Sequence, residues 1–192
     1  MANVYERIDE KLAAFLQAQH LFFVATAPSG PDGHVNVSPK GHDSFRIVDH
    51  GTVAYLDLTG SGVETISHLR ENGRITFMFC AFEGPPRIVR LHGRGRVIAP
   101  SEPNFPEWRR RFPEEEEDGV RAVIVAQLDR ISDSCGFGIP LLSYKGERSH
   151  MQAWLDQKGP EGVKAYHAEH NVSIDGLPGL AGCQPPGTLP HD

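Results

Sequence analysis

Apolar residues along the chain recur at two spacings, and the change from one to the other marks out its elements. Val4, Ile8, Leu12 and Phe15/Leu16 recur at helical spacing, while Glu6, Arg7, Asp9, Glu10 and Lys11 fall on other faces; this predicts an amphipathic helix over 4–19. From Leu21 the period shortens. Residues 21–27 read as a short apolar strand, 28–33 are dense in turn residues, and 34–38 return as the next strand, so the two are expected to form an antiparallel hairpin. In the second strand Val35 and Val37 share one face, and Asn36 and Ser38 the other. Pro39 has no N–H to extend a central ladder, so the strand should stop there and leave Lys40 at its end.

Residues 44–48 and 52–58 are two further strands around a turn at Asp49-His50-Gly51. In the second, Val53, Tyr55 and Asp57 face one way, and Ala54, Leu56 and Leu58 the other. Thr59-Gly60-Ser61-Gly62 then opens a helix over 63–72, with Ser61 as its expected N-cap and Gly73 at the left-handed position past its end. Such a turn suits an anion, because glycines let the backbone approach and free N–H groups at a helix start point at the ligand. It also suits a capped turn with no ligand.

Strands follow at 74–82 and 87–99, and a last one at 120–131 is apolar enough to be central. Between them a short helix with Trp108 inward and the charge run 114–118, read as a solvated loop, leave the strand pattern. A helix over 147–157 carries Met151, Trp154 and Leu155 on its apolar side. From Asn171 the chain is rich in Pro and Gly and cannot form a core alone. The organisation is therefore one domain over 1–170 and a tail over 171–192.

At 192 residues the chain can bury a core without disulfides. Its net charge of −6 argues against nucleic-acid binding as the main function, since neutralising phosphates needs a basic face. The three cysteines, Cys80, Cys135 and Cys183, are odd in number and show no C-x-x-C, so they read as reduced thiols of a cytoplasmic protein. No signal peptide and no membrane span is read from the sequence.

Four features could carry chemistry. Lys40 could meet an anion or be a surface lysine. In the strand 87–99, Arg90, His92, Arg94 and Arg96 form a basic stripe opposite Val89, Leu91, Gly93, Gly95 and Val97. Cys135 lacks a nearby histidine in sequence and reads as structural. His167 and His170 are spaced to share a metal on a helix but lack a third ligand, so no metal site is assigned.

The words HVNVSPKG (34–41) and LRENGRITFMF (69–79), with the Gly-Phe-Gly-x-Pro segment at 136–140, resemble the pyridoxamine 5′-phosphate oxidase-like family of FMN-binding split β-barrels. The resemblance spans roughly residues 10–160. It implies a mainly β fold, a six-stranded antiparallel split barrel with flanking helices, and a homodimer with FMN at the subunit interface. It implies an FMN-dependent oxidoreductase acting on a small organic substrate. By position it places flavin contacts at Ser38, Lys40, Tyr55, Leu56, Asp57, Thr59, Gly60, Ser61 and Thr65.

Two departures are visible. The family enzymes that oxidise pyridoxamine phosphate carry an Arg-Lys pair for the FMN phosphate where this chain has Glu64 and Thr65. Their Arg-Leu-Ser-Pro-type C-terminal segment has no counterpart here. The chain is thus not expected to be a true pyridoxamine 5′-phosphate oxidase, and the stripe at Arg90 and Arg94, from a partner subunit, is the expected source of the missing charge. The alternatives are a non-catalytic split barrel holding a flavin or another anionic ligand, and a reductase using the deazaflavin F420.

Overall fold

The computed structural model describes residues 3–113 and 119–182. The charge run 114–118 and Cys183, with the end of the tail, lie outside the described residues.

Twelve elements follow in chain order. They are β1 (Val4–Tyr5), α1 (Glu10–Gln17), β2 (Phe22–Thr26), β3 (Asn36–Lys40), β4 (Phe45–Ile47), β5 (Thr52–Leu58), α2 (Glu64–Asn72), β6 (Arg74–Cys80), β7 (Ile88–Ile98), α3 (Phe105–Arg109), β8 (Val120–Ser134) and α4 (His150–Glu169). Seven strands, rather than the six expected, hydrogen-bond in the order β3-β2-β6-β7-β8-β5-β4, and β1 adds to β8. Every pairing is antiparallel. The sheet curls into a split barrel. Its β4 end closes on β2 and β6 through aromatic rings, with Phe45 of β4 5.3 Å from Phe22 of β2 and 4.9 Å from Phe79 of β6.

Inside the curl, Phe22, Val24, Tyr55, Phe77, Phe79, Leu91 and Ile124 are buried together with Leu12 and Leu16 of α1. The other face of β5 and β8 is also covered. Ala54, Leu56, Val123 and Val125 pack with Phe112 and Trp108 around α3. This two-sided burial explains why β8 reads as a near-continuous apolar run rather than an alternating one.

The sequence-derived helix over 4–19 is shorter in the structure. Val4 and Tyr5 pair with Ser132 and Ile131, and the helix begins only after Asp9, whose side chain accepts the Leu12 N–H at 2.8 Å. Helical spacing at 4 and 8 was fortuitous: Asp9 is a strong N-cap and starts the helix there. β3 likewise runs to Lys40 and includes Pro39. It is an edge strand, and the absent N–H of a proline is tolerated at an edge. α2 is capped by Val63 with no side-chain bond, not by Ser61. Gly73 has φ 71° and sends its N–H to Leu69 O, as expected of a residue that must be left-handed.

β8 is crossed by two irregularities. Its register with β7 slips between His92 and Gly93, where a Cβ on Gly93 would run into the Gln127 carbonyl. Its register with β5 slips between Asp57 and Leu58, which pair with Ala122 and Val120, so Arg121 is the extra residue. A bulge re-aims the side chain it carries. α4 is bent at Gly159, and residues 171–182 return along α2. There Arg70 donates to Gly179 O, Ser67 donates to Leu177 O, and Leu180 enters the barrel core.

Candidate functional site

A cavity of about 480 Å³ opens where β3, the end of β5 and the start of α2 converge. It is within the usual range for a ligand pocket. Seven of the nine residues singled out by position line it: Ser38, Lys40, Leu56, Thr59, Gly60, Ser61 and Thr65. Tyr55 and Asp57 do not line it; both are fully buried behind the wall.

The β3 wall is polar for a topological reason. Asn36, Ser38 and Lys40 pair opposite Thr26, Val24 and Phe22, all buried, and so lie on the barrel side of the edge strand. Val35 and Val37 face outward, 70% and 60% exposed. The polar half of the VNVS alternation is therefore the inner one.

Three charged side chains cluster at the back of the cavity. Asp57 is fully buried and accepts from Arg121 Nε at 2.8 Å and from Lys40 Nζ at 3.2 Å. Burial alone would raise its carboxyl, but Arg121 and then Lys40 outweigh burial and hold it below the usual carboxylate range. Burial likewise works against the Arg121 charge, and Asp57 more than restores it. One anion against two cations leaves this cluster with one positive charge, which the Glu64 carboxylate in the same wall opposes.

Arg121 is held at two of its three nitrogens. Nε goes to Asp57, and Nη1 goes to Gly62 O at 2.7 Å, which ties the guanidinium to the turn before α2. Nη2 has no partner among the described residues, and Arg121 lines the cavity. Glu64, also in the wall, turns one carboxylate oxygen to the backbone N–H of Ile174 at 3.1 Å. Tyr55 lies under the cluster, with Lys40 Nζ 5.6 Å from its ring centroid. Its hydroxyl is buried with no partner of good hydrogen-bond geometry among the described residues, and burial, with Asp57, pushes its pKa well above 10.

A second network joins the polar side chains of the wall. Ser38 Oγ donates to Asn36 Oδ1 at 3.1 Å, and Asn36 Nδ2 donates to Thr65 Oγ1 at 3.1 Å and to Thr26 Oγ1 at 3.3 Å. Thr26 Oγ1 lies 3.0 Å from His68 Nδ1. His68 Nε2, on the other side of the ring, is buried with no partner among the described residues. Burial holds His68 neutral by lowering its pKa. The cavity thus meets Ser38 as an acceptor and Thr65 as a donor. The Thr59 hydroxyl donates to Gly119 O at 2.9 Å and lies 2.8 Å from His167 Nε2, so it pins the turn to α4.

Arg121, Asn36, Glu64, Met151 and Ile174 line this cavity and were not among the residues chosen from sequence. A signal for Arg121 existed: it is a cation inside the apolar run 120–126, as Asp57 is the lone anion of 52–58, and buried charges come in pairs. The basic stripe lies elsewhere. Arg90 donates to Ser134 and Arg94 to Asn72 O, and within one chain neither reaches the cavity. His167 and His170 diverge, the first to Thr59 and the second stacked on Tyr166. Cys135 is exposed and Cys80 buried, and both are free thiols.

A sequence profile described as pyridoxamine 5′-phosphate oxidase matches residues 8–135, which include all of the cavity's lining except Met151 and Ile174. The pyridoxamine 5′-phosphate oxidase family protein ustO of Aspergillus flavus is 40% identical over 196 residues, covering 94% of this chain and 78% of that one. Two solved structures share the fold. A histidine-to-alanine variant of HupZ from Group A Streptococcus matches with TM-score 0.51 and 23% identity over 66% of this chain and 99% of its own. A candidate pyridoxamine 5′-phosphate oxidase from Lactobacillus delbrueckii matches with TM-score 0.51 and 16% identity over 66% and 94%.

Proposed function

The chain belongs to the pyridoxamine 5′-phosphate oxidase family, and from that premise we propose that it is a flavoprotein holding FMN in the β3–β5–α2 cavity and serving as a cytoplasmic oxidoreductase for a small organic substrate. The observation that carries this reading is the Nη2 of Arg121, which has no partner among the described residues and stands at a cavity where Arg121 and Lys40 share one buried carboxylate. It supplies the cation that Glu64 and Thr65 lack.

The residues fit a phosphorylated ligand. Arg121, the Thr65 hydroxyl and the turn Thr59–Gly62 would hold the phosphate. α2 begins without a side-chain cap, which leaves its first N–H groups unclaimed by a capping side chain. Ser38, Lys40 and Leu56 would meet the rest of the cofactor; Tyr55 and Asp57 act from behind the wall. Bound there, FMN supplies the two-electron chemistry, while the chain supplies orientation and electrostatics.

A homodimer with the cofactor at its interface belongs to the same reading. Val37 of β3, Val35 just before it and the open face beside them leave apolar surface for a second copy, and Arg90 and Arg94 of that copy would add charge at the phosphate. The test is to mix the purified chain with excess FMN, desalt, and record the visible spectrum before and after NADH or NADPH. One retained flavin per chain that bleaches on reduction supports the proposal. Retained flavin that no reductant bleaches favours a non-catalytic flavin-binding protein. A colourless chain rejects FMN and turns attention to deazaflavin.

A further inference from the structure

A larger cavity of about 760 Å³ lies beside the first and shares Gly41, His42 and Ser44 with it. The proposed flavin contacts leave its remaining wall unused. We propose that it is a second ligand site, built for a planar aromatic molecule bearing a cationic group. Calling that molecule the substrate rests on the proposed function; its binding does not.

Ring faces make the apolar part. Phe22 and Phe45 line the floor 5.3 Å apart, and His20 and Tyr144 stack at 3.7 Å with an angle of 8° between their planes. Tyr144 comes from the exposed segment before α4. Its backbone N–H donates to the Glu83 carboxylate, and its hydroxyl donates to Glu147 at 2.9 Å. Aromatic walls favour a flat ligand by offset or edge contacts.

The charged part selects sign. Arg46 is fully engaged. Its Nη1 and Nη2 clasp the Asp43 carboxylate at 2.8 and 3.0 Å, and Nε donates to Arg111 O. Those two charges cancel, and among the described residues of the lining the remaining carboxylate is Glu147. It is 44% exposed, with the Tyr144 hydroxyl on Oε1 and His42 Nδ1 3.9 Å from Oε2. The wall therefore favours a cation over an anion.

The backbone between the cavities is held in an unusual shape. His42 and Asp43 have φ of 60° and 47°, both left-handed and neither glycine. Such conformations persist where surroundings over-determine them, and they cluster at ligand sites. Here the Arg46 clasp on Asp43 holds the turn, and the turn sets His42 in the wall common to both cavities.

The probes are tryptamine and indole-3-acetate, one ring system with opposite charges, titrated calorimetrically into the flavin-free chain and into the chain saturated with FMN. Tryptamine should bind about tenfold more tightly than indole-3-acetate. Glu147→Gln should reduce that preference to about threefold or less, and Tyr144→Ala should weaken both probes. Both side chains are exposed, so the variants should fold. Absent tryptamine binding, equal binding of the two probes, variants without effect, or displacement of tryptamine by FMN would each overturn the proposal. Retained FMN without tryptamine binding rejects this second site alone. Tryptamine binding without FMN rejects the flavin reading and leaves the second site standing.

Discussion

The Arg121 guanidinium and the Asp57 carboxylate meet at 2.8 Å, with 7% and 0% of their side chains exposed. Neither charge could sit there alone. The bulge in β8 turns Arg121 toward Asp57, Lys40 reaches the carboxylate's other oxygen, and the spare nitrogen of Arg121 is left at the cavity. Stability and ligand recognition are thereby coupled in one cluster.

Removing one partner exposes that coupling. Arg121→Met leaves Asp57 buried with Lys40 alone and should destabilise the fold by about 3–5 kcal/mol, the usual cost of an orphaned buried charge. Adding Asp57→Asn should recover most of the loss without recovering FMN affinity. Urea denaturation reads the first quantity and equilibrium dialysis the second. Equal recovery of both would make the pair purely structural.

Glu64 tests the sign of the cavity. Glu64→Gln keeps an acceptor for the Ile174 N–H and removes a negative charge from the wall. FMN should bind about fivefold more tightly to the variant while riboflavin, which lacks the phosphate, is unaffected. An equal change for both ligands would place the phosphate elsewhere.

Asn36 is predicted to set the hydrogen-bond polarity of the wall. Asn36→Ala frees Ser38 and Thr65 to rotate and leaves Thr26 without a donor. FMN affinity should fall about tenfold, the size of one or two lost hydrogen bonds. Ring ¹⁵N shifts of His68 should show a neutral imidazole in the native protein at pH 7, and a charged ring there would contradict the burial that lowers its pKa.

Three histidines are held below their ordinary pKa, chiefly by burial: His68, His92 and His167. For each, the unfolded chain takes up a proton near pH 6.5 while the folded chain still refuses it. Their contribution to stability is therefore complete above about pH 6.5 and is lost as pH falls through the folded values. The urea midpoint should drop between about pH 7.5 and 5, and His68→Gln should make that slope shallower. Asp57 acts lower: its contribution stands above the unfolded carboxylate range, near pH 4, and disappears as pH falls through its depressed folded value.

Much of this fold is legible in the sequence because its strands declare themselves. β5 and the left-handed Gly73 fall where alternation and turn chemistry put them. What alternation cannot give is which side of a strand is the inside. Val35 and Val37 look like the core face of β3, yet they are exposed, because β3 is the edge where the barrel interior turns polar. Periodicity also misses a bulge. Nothing in the spacing of β8 says that Arg121 is an extra residue aimed at Asp57, and only the need of a buried charge for a partner could have linked the two. The seven cavity residues legible by position came from family resemblance. The electrostatics that make the cavity a candidate anion site came from geometry.

The most direct measurement is calorimetric titration of the flavin-free chain with FMN and with riboflavin. One FMN should bind per chain, at least about tenfold more tightly than riboflavin, with that preference lost when Arg121 is replaced by Met together with Asp57→Asn. Equal affinity for the two ligands, or a phosphate preference that survives the double replacement, would contradict a phosphate held by Arg121 in the β3–β5–α2 cavity.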